Sequence, residues 1–291
     1  MYNINMAKIP YQHIPVMADI VVEIMHPEDK NTIVDCTLGG GGHAQALKKA
    51  NKKLNIIGFD QDQEALAAAQ ENLKGYSDIT YINDNFANLK KHLRQPVGGI
   101  LFDLGVSSYQ LDEPARGFSF RSPGPLDMRL GQQQPLTAGD IINQYPEEEL
   151  SEIIFKYGEE RFARRLSRAI VQARKRSPIT TTEQLKAIIE PAIPTWKKRE
   201  SLTRVFQALR IAVNGELTAL ELALPAALEL LQPGGRIVVL SYHSLEDRIV
   251  KNLFRQAASD GKLKILTKKP LISQDDNPRA RSAKLRAAEK I

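Results

Sequence analysis

Four glycines followed by a histidine, Gly39-Gly-Gly-Gly-His43, stand where a short apolar run ends, and single carboxylates recur downstream at Asp60 and Asp103. Ile33 to Leu38 is apolar and β-branched with Asp35 near its middle, and His43-Ala-Gln-Ala-Leu-Lys-Lys-Ala50 suits a helix. A strand, a glycine turn and a helix in that order open a nucleotide-binding α/β unit. Such a turn needs positive φ and must let a ligand approach bare backbone, which glycine permits. Asn55-Ile-Ile-Gly-Phe-Asp60 reads as the next strand. It ends in an acid about 20 residues past the turn, where a carboxylate can bind ribose hydroxyls. The chemistry these residues point to is the binding of a nucleoside-containing cofactor.

The elements that position them follow from periodicity. A loop and helix, His13-Ile-Pro-Val-Met17 and Asp19–Met25, lead into the first strand. Helices at 63–73 and 87–93 alternate with strands Ile79–Ile82 and Gly99–Leu104, so four strands form a parallel sheet whose carboxyl ends bind ligands. Those ends carry Gly39–Gly42, Asp60, Asn85–Phe86 and Asp103, which must converge on one crevice. Residues 105–135 are irregular, with Gly105-Val-Ser-Ser-Tyr-Gln-Leu-Asp112 and Arg116-Gly-Phe-Ser-Phe120. Long loops inside compact domains usually serve function. Residues 137–212 are purely helical (147–155, 159–176, 182–189, 202–213) and read as an inserted domain. The α/β pattern resumes with a helix at 216–231, a turn at Pro233-Gly-Gly, strands 236–243 and 263–267 flanking a helix at 245–257, and a last edge strand near the end. The division expected is 1–112, an inserted 113–212, and 213–291.

Charge sharpens the picture. The net charge is +6 over 291 residues. Residues 156–210 carry 14 Lys/Arg against 5 Asp/Glu, and residues 262–291 carry 9 against 3. The cofactor unit is correspondingly acidic, which suits a polyanion approaching from one side. Arg161, Arg165 and Arg168 share a helical face by their spacing and are candidate phosphate contacts, with Arg164, Arg174, Lys175 and Arg176 nearby. Phe118 and Phe120 are candidate stacking faces for an unpaired base. The single cysteine, Cys36, excludes an internal disulfide and suits a reducing compartment. No apolar run reaches about 18 residues and no leader precedes the first helix, so a cytoplasmic protein without membrane contact is expected. His13, His26, His43, His92 and His243 lack ligand spacing, so no metal site is expected.

Spacing alone leaves the cofactor open. The dinucleotide fingerprint G-x-G-x-x-G is broken by Ala44, whereas Asp35-x-x-x-Gly39-x-Gly41 resembles the first motif of S-adenosylmethionine (SAM) methyltransferases. From His13 to Arg286 the chain resembles a whole family, the bacterial small-subunit rRNA cytosine-N4 methyltransferases called MraW or RsmH. The resemblance lies in Gly39–His43, Asp103-Leu-Gly-Val-Ser-Ser108, Arg116–Phe120, Gly124-Pro-Leu-Asp-Met-Arg129, Tyr157-Gly-Glu-Glu-Arg-Phe162, Phe206-Gln-Ala-Leu-Arg-Ile211, Ser241-Tyr-His-Ser-Leu-Glu-Asp-Arg248 and Asn277-Pro-Arg-Ala-Arg-Ser282. Tyr109 and Ala44 depart from its usual proline and serine.

The resemblance implies a Rossmann-like class I SAM methyltransferase sheet of about seven strands with an inserted all-helical domain. It implies methyl transfer to N4 of a cytidine, position 1402 of 16S rRNA, in the decoding region. The substrate would lie within the small ribosomal subunit, and the chain would act as a monomer or homodimer. SAM would contact Gly41, Gly42, His43, Asp60, Phe86, Asp103 and Gln110. The residues themselves suggest amides at the glycines, a ribose acceptor at Asp60, an adenine face at Phe86 beside Asp84 or Asn85, and Asp103 next to the reacting methyl. His43 and Gln110 rest on the resemblance alone. Asp103 and His243 are the candidate catalytic groups, and Tyr242 could border the base. Three alternatives stay open: a methyltransferase for another RNA or DNA, an NAD-dependent oxidoreductase, and a non-catalytic assembly factor that binds SAM.

Overall fold

The computed structural model describes residues 15–273 and 280–291, so His13 and the Asn277-Pro-Arg279 part of the tail lie outside the described residues. Eight strands are β1 (Thr32–Asp35), β2 (Asn55–Asp60), β3 (Ile79–Asn83), β4 (Val97–Asp103), β5 (Leu231–Ser241), β6 (Leu263–Ile265), β7 (Leu271–Ile272) and β8 (Lys284–Lys290). They form one sheet in the order β3-β2-β1-β4-β5-β8-β6, with β7 also paired to β8. The first five strands run parallel and β8 runs antiparallel to its neighbours. The order reverses between β1 and β4, where an open α/β sheet binds its ligand.

Alternation along the strands explains both faces. Val34, Ile100, Phe102, Ile237 and Val239 enter one apolar core, whereas Ile33, Leu101, Val238 and Leu240 enter the other. Both faces are therefore covered, which is why these strands read as continuous apolar runs. The first core is closed by α4 (Leu89–His92), α11 (Glu216–Leu230) and α12 (Ser244–Ser259), the second by α1 (Ala18–Met25), α2 (Gly42–Ala50) and α3 (Gln63–Asn72). No single helix among the described residues is long and apolar enough to cross a membrane.

Two strands depart from the sequence reading. The last strand is interior, not an edge: β8 lies between β5 and β6, with Leu285, Ala287 and Ala288 fully buried. Its small alanines let neighbouring elements close on it from both sides but carry little strand propensity. Strand β5 begins at Leu231, before the expected Pro-Gly-Gly turn, because Leu231 already pairs with Val97 across a register shift.

Between β4 and β5 the chain forms α5 (Ser108–Asp112), α6 (Ala138–Gln144), α7 (Glu147–Gly158), α8 (Ala163–Arg174), α9 (Thr182–Ile189) and α10 (Lys198–Asn214). A third apolar core gathers Phe118, Met128, Ile141, Leu150, Leu166, Leu185 and Leu209 from this stretch. The long loop is anchored to it: Leu126 N donates to Thr180 O, and the Asn214 side chain accepts from Leu130 N and donates to Met128 O.

The glycine turn has a physical requirement at Gly41, the N-cap of α2, which sits at φ 82°. A Cβ there would stand 2.7 Å from Leu73 Cδ1. Left-handed backbone and overpacking both penalise a side chain at this point. Gly41→Ala is expected to lose about 1–3 kcal/mol of stability, seen as a lowered urea-unfolding midpoint. An unchanged midpoint would contradict this account of the turn.

Candidate active site

The carboxyl ends of β1, β2, β4 and β5 surround a cleft of about 1070 Å³, its open mouth included. Gly39, Gly40, Gly42, His43, Asp60, Asp84, Asn85, Phe86, Asp103, Gln110 and Tyr242 line it. Gly41 does not, because its open side faces Leu73 in the core behind the turn. Its part is to shape the turn that exposes its neighbours.

One end of the cleft suits a nucleoside. Asp60 accepts from Gly39 N at 2.8 Å and from Asp62 N at 2.9 Å, which fixes its carboxylate at the end of β2. Burial pushes its pKa up to about 6, partly offset by those two amides. Each oxygen keeps acceptor capacity for a hydroxyl. Phe86 meets Phe102 edge to face, with centroids 5.5 Å apart, and presents an apolar wall to the cleft. Asp84 is committed to Asn85 N, Asn88 and His92, while Asn85 caps the short turn at Phe86 and donates to Gln61. Gln110 closes the opposite side, held by a capping box with Ser107 and by donation to Asp62 Oδ2 at 2.9 Å.

The other end is acidic. Asp103 terminates β4, its Oδ1 accepting from the Tyr242 hydroxyl at 2.7 Å and its Oδ2 lying 3.3 Å from His43 Nε2. Asp35 is buried behind them, and burial pushes its pKa up to about 6. Burial and the adjacent Asp103 carboxylate drive the Tyr242 hydroxyl far above its ordinary value, so it stays protonated and donates to Asp103. The cleft thus joins a nucleoside cradle to a carboxylate–imidazole cluster that would attract a cation such as a sulfonium. These residues fit SAM.

Other expectations are revised. His243 does not line the cleft: it is the N-cap of α12, forms a capping box with Glu246 and pairs with it at 3.1 Å. Glu246 also accepts from Tyr242 N at 2.8 Å, so this pair holds the loop that presents Tyr242. Phe118 is buried in the helical core and offers no open stacking face, and the half-buried Phe120 packs edge to face with Phe206 against the same core. An aromatic in an irregular loop gives no period to reveal this. Arg161 does not share the helical face of Arg165 and Arg168, because Glu159 turns left-handed at φ 49° and α8 starts only at Ala163. Arg165 and Arg168 are exposed on α8, whereas Arg174 donates to the carbonyls of Ile142 and Tyr145 and serves packing.

Sequence reasoning missed several residues. Arg116, only 4% exposed, pairs with the buried Asp62 at 2.7 Å and donates to the carbonyls of Arg129 and Leu130. Arg210 grips Glu216 through two 2.8 Å bonds where Glu216, His243 and Glu246 converge, and it supplies the cation of that cluster. Trp196 is 78% exposed, with Lys197 Nζ 5.1 Å from its ring centre. The run Trp196-Lys-Lys-Arg199 was the available signal for it.

A glycine-turn cleft at the switch point of a parallel sheet, closed by an antiparallel strand, with the carboxylates of Asp60 on β2 and Asp103 on β4 facing it, defines a class I SAM-dependent methyltransferase. The chain belongs to the MraW methylase family, which it matches over residues 10–291. It is 46% identical to the ribosomal RNA small subunit methyltransferase H of Heliobacterium modesticaldum, covering 97% of this chain and 99% of that one. It is 45% identical to the protein of the same name from Carboxydothermus hydrogenoformans, covering 97% and 98%. Among solved structures, an rRNA methylase from Streptococcus thermophilus is 14% identical with a TM-score of 0.45, covering 94% and 93% of the two chains.

Proposed function

We propose that this protein transfers a methyl group from SAM to N4 of a cytidine in the decoding region of 16S rRNA. The observation that carries the reading is Asp103, fixed by Tyr242 at the acidic end of the cleft. The relatives' names support small-subunit rRNA as the substrate, and the resemblance supplies the base and the atom.

SAM supplies an activated methyl on a cationic sulfur when bound. The chain must bring to it an exocyclic amine whose lone pair is delocalised into the ring. Alignment of amine and methyl can supply roughly 7–11 kcal/mol. Asp103 accepts from the amine as positive charge develops on nitrogen, and the carboxylate then takes its proton. Amino-methyltransferases commonly place Asp/Asn-Pro-Pro-aromatic after the fourth strand, where this chain has Asp103-Leu-Gly-Val. Here Gly105, at φ 93°, leaves room beside the Tyr242 ring, whose Cδ2 would be 3.4 Å from a Cβ at that position. Tyr242, coming from β5, borders the base in place of the missing aromatic.

The helical unit, residues 113–212, receives the RNA. Arg165 and Arg168 contact phosphates, and Trp196 takes the stacking role that the buried Phe118 cannot fill. Replacing Arg165 and Arg168 by glutamate lowers the salt slope of RNA binding by roughly one to two. Trp196→Ala weakens RNA binding by about 1–3 kcal/mol and leaves SAM affinity unchanged. Salt-dependent binding isotherms check both, and an unchanged slope removes Arg165 and Arg168 from the interface. For the substrate, labelled methyl from SAM should enter 16S rRNA of unmodified small subunits and not large-subunit RNA. Label in the large subunit alone would refute the assignment.

A further inference from the structure

His43 is the buried titratable group that methyl transfer to N4 leaves without a task. It sits in the first turn of α2, 5% exposed, between carboxylates from two strands. Asp103 of β4 lies 3.3 Å from its Nε2, and Asp35 of β1 is close enough to act on it electrostatically. His43 Nδ1 and Asp35 Oδ2 are buried without a hydrogen-bond partner among the described residues, and the 3.3 Å approach of Asp103 is the contact His43 Nε2 has. The other Asp35 oxygen accepts from Thr37 N at 3.1 Å. Unpartnered buried polar atoms cost free energy, and they persist where function uses them. His43 on the wall of the ligand cleft, with Asp35 buried directly behind it, marks a place where charge comes and goes with the ligand.

The groups facing His43 set its response. Burial disfavours its cation, but Asp103 and Asp35 outweigh burial and raise its pKa. Asp103 is in turn bound to the neutral Tyr242 hydroxyl, and Asp60 faces Asp35 from β2. A ligand cation placed in this end of the cleft opposes a second cation on the imidazole. A neutral ligand does not.

Building on the assignment of SAM to this cleft, we propose that His43 is the proton store of the site, neutral beside the sulfonium and protonated once that charge is discharged. The amine lone pair forms the N–C bond, and the electrons of the breaking C–S bond stay on sulfur as a neutral thioether. The N–H proton passes by way of the Asp103 carboxylate to His43 Nε2. One positive charge thereby moves from sulfur to imidazole, and the cleft keeps its total charge. Loss of the proton to solvent when the product leaves resets the site.

Binding measurements test this without turnover. SAM and S-adenosylhomocysteine (SAH) are titrated into the protein in buffers of different ionisation enthalpy, between roughly pH 6 and 9. SAH is expected to take up a proton that SAM does not, so its affinity relative to SAM rises about tenfold or more as pH falls. His43→Gln and His43→Asn should flatten that dependence while both ligands still bind. In carbon–proton NMR of the five histidines, one imidazole should titrate about one unit or more higher with SAH than with SAM. Equal proton uptake for the two ligands overturns the proposal. So does a difference that survives His43→Gln, which would move the proton to Asp35 or Asp60. Should neither variant fold, the wild-type NMR titration decides, and an imidazole shift of zero between complexes overturns it. Failure of SAM and SAH to bind at all is a separate result, which removes the cofactor assignment beneath it.

Discussion

Asp103→Asn lowers methyl transfer by about 10²–10⁴-fold while SAM still binds. Asparagine keeps the shape of the side chain, and its amide oxygen can still accept from the Tyr242 hydroxyl, which donates to Asp103 Oδ1 at 2.7 Å in the native protein. In the proposed mechanism it loses the negative charge that would stabilise a developing ammonium and the basic oxygen that would take its proton. The loss should therefore fall on kcat at saturating SAM and RNA, with RNA affinity unchanged. Tyr242→Phe isolates positioning from proton acceptance: freeing Asp103 Oδ1 should cost less than removing the charge, on the order of tenfold. Single-turnover rates and SAM isotherms on the two variants check both statements. Turnover of Asp103→Asn near wild type would end the acceptor role.

Arg116→Met destabilises the protein by about 3–5 kcal/mol, because it leaves Asp62 charged and buried without its partner. The two side chains are 4% and 1% exposed, and their 2.7 Å contact joins the long loop to the N-cap of α3. Asp62 also receives Gln110 Nε2, so the same change loosens one wall of the cleft. Weaker SAM binding should accompany the lower stability. Adding Asp62→Asn to Arg116→Met should recover part of the loss, since an uncompensated charge costs more than an absent pair. Urea unfolding of the single and double variants measures this. Losses that simply add would show that Asp62 and Arg116 are not coupled.

The cofactor half of the site was legible because its signals are local. Strands β1, β2 and β4 are covered on both faces, so each appears as an apolar run, and an acid marks where Asp60 and Asp103 emerge into the cleft. Gly39–Gly42 announces a turn with bare backbone. The groups that hold these residues in place were not legible, for reasons of physics. A buried arginine such as Arg116 has the same one-letter signature as a surface one, and its partner Asp62 looks like an ordinary helix cap. Phe118 and Trp196 have opposite exposures that depend on the packing of helices distant in sequence. The interior place of β8 stayed hidden because Ala287 and Ala288 fill a tight position with little strand propensity. Tyr242 gained its meaning only when the sheet brought the end of β5 beside the end of β4.

The proposed role of Asp103 and the cleft around it is to direct SAM's methyl to one exocyclic amine. Purified unmodified small subunits, incubated with the protein and labelled SAM, can be digested to nucleosides and analysed by mass. Labelled N4-methylcytidine is expected, reduced about 10²–10⁴-fold in a parallel reaction with Asp103→Asn. Label on a ring carbon, a ribose or another base would contradict it.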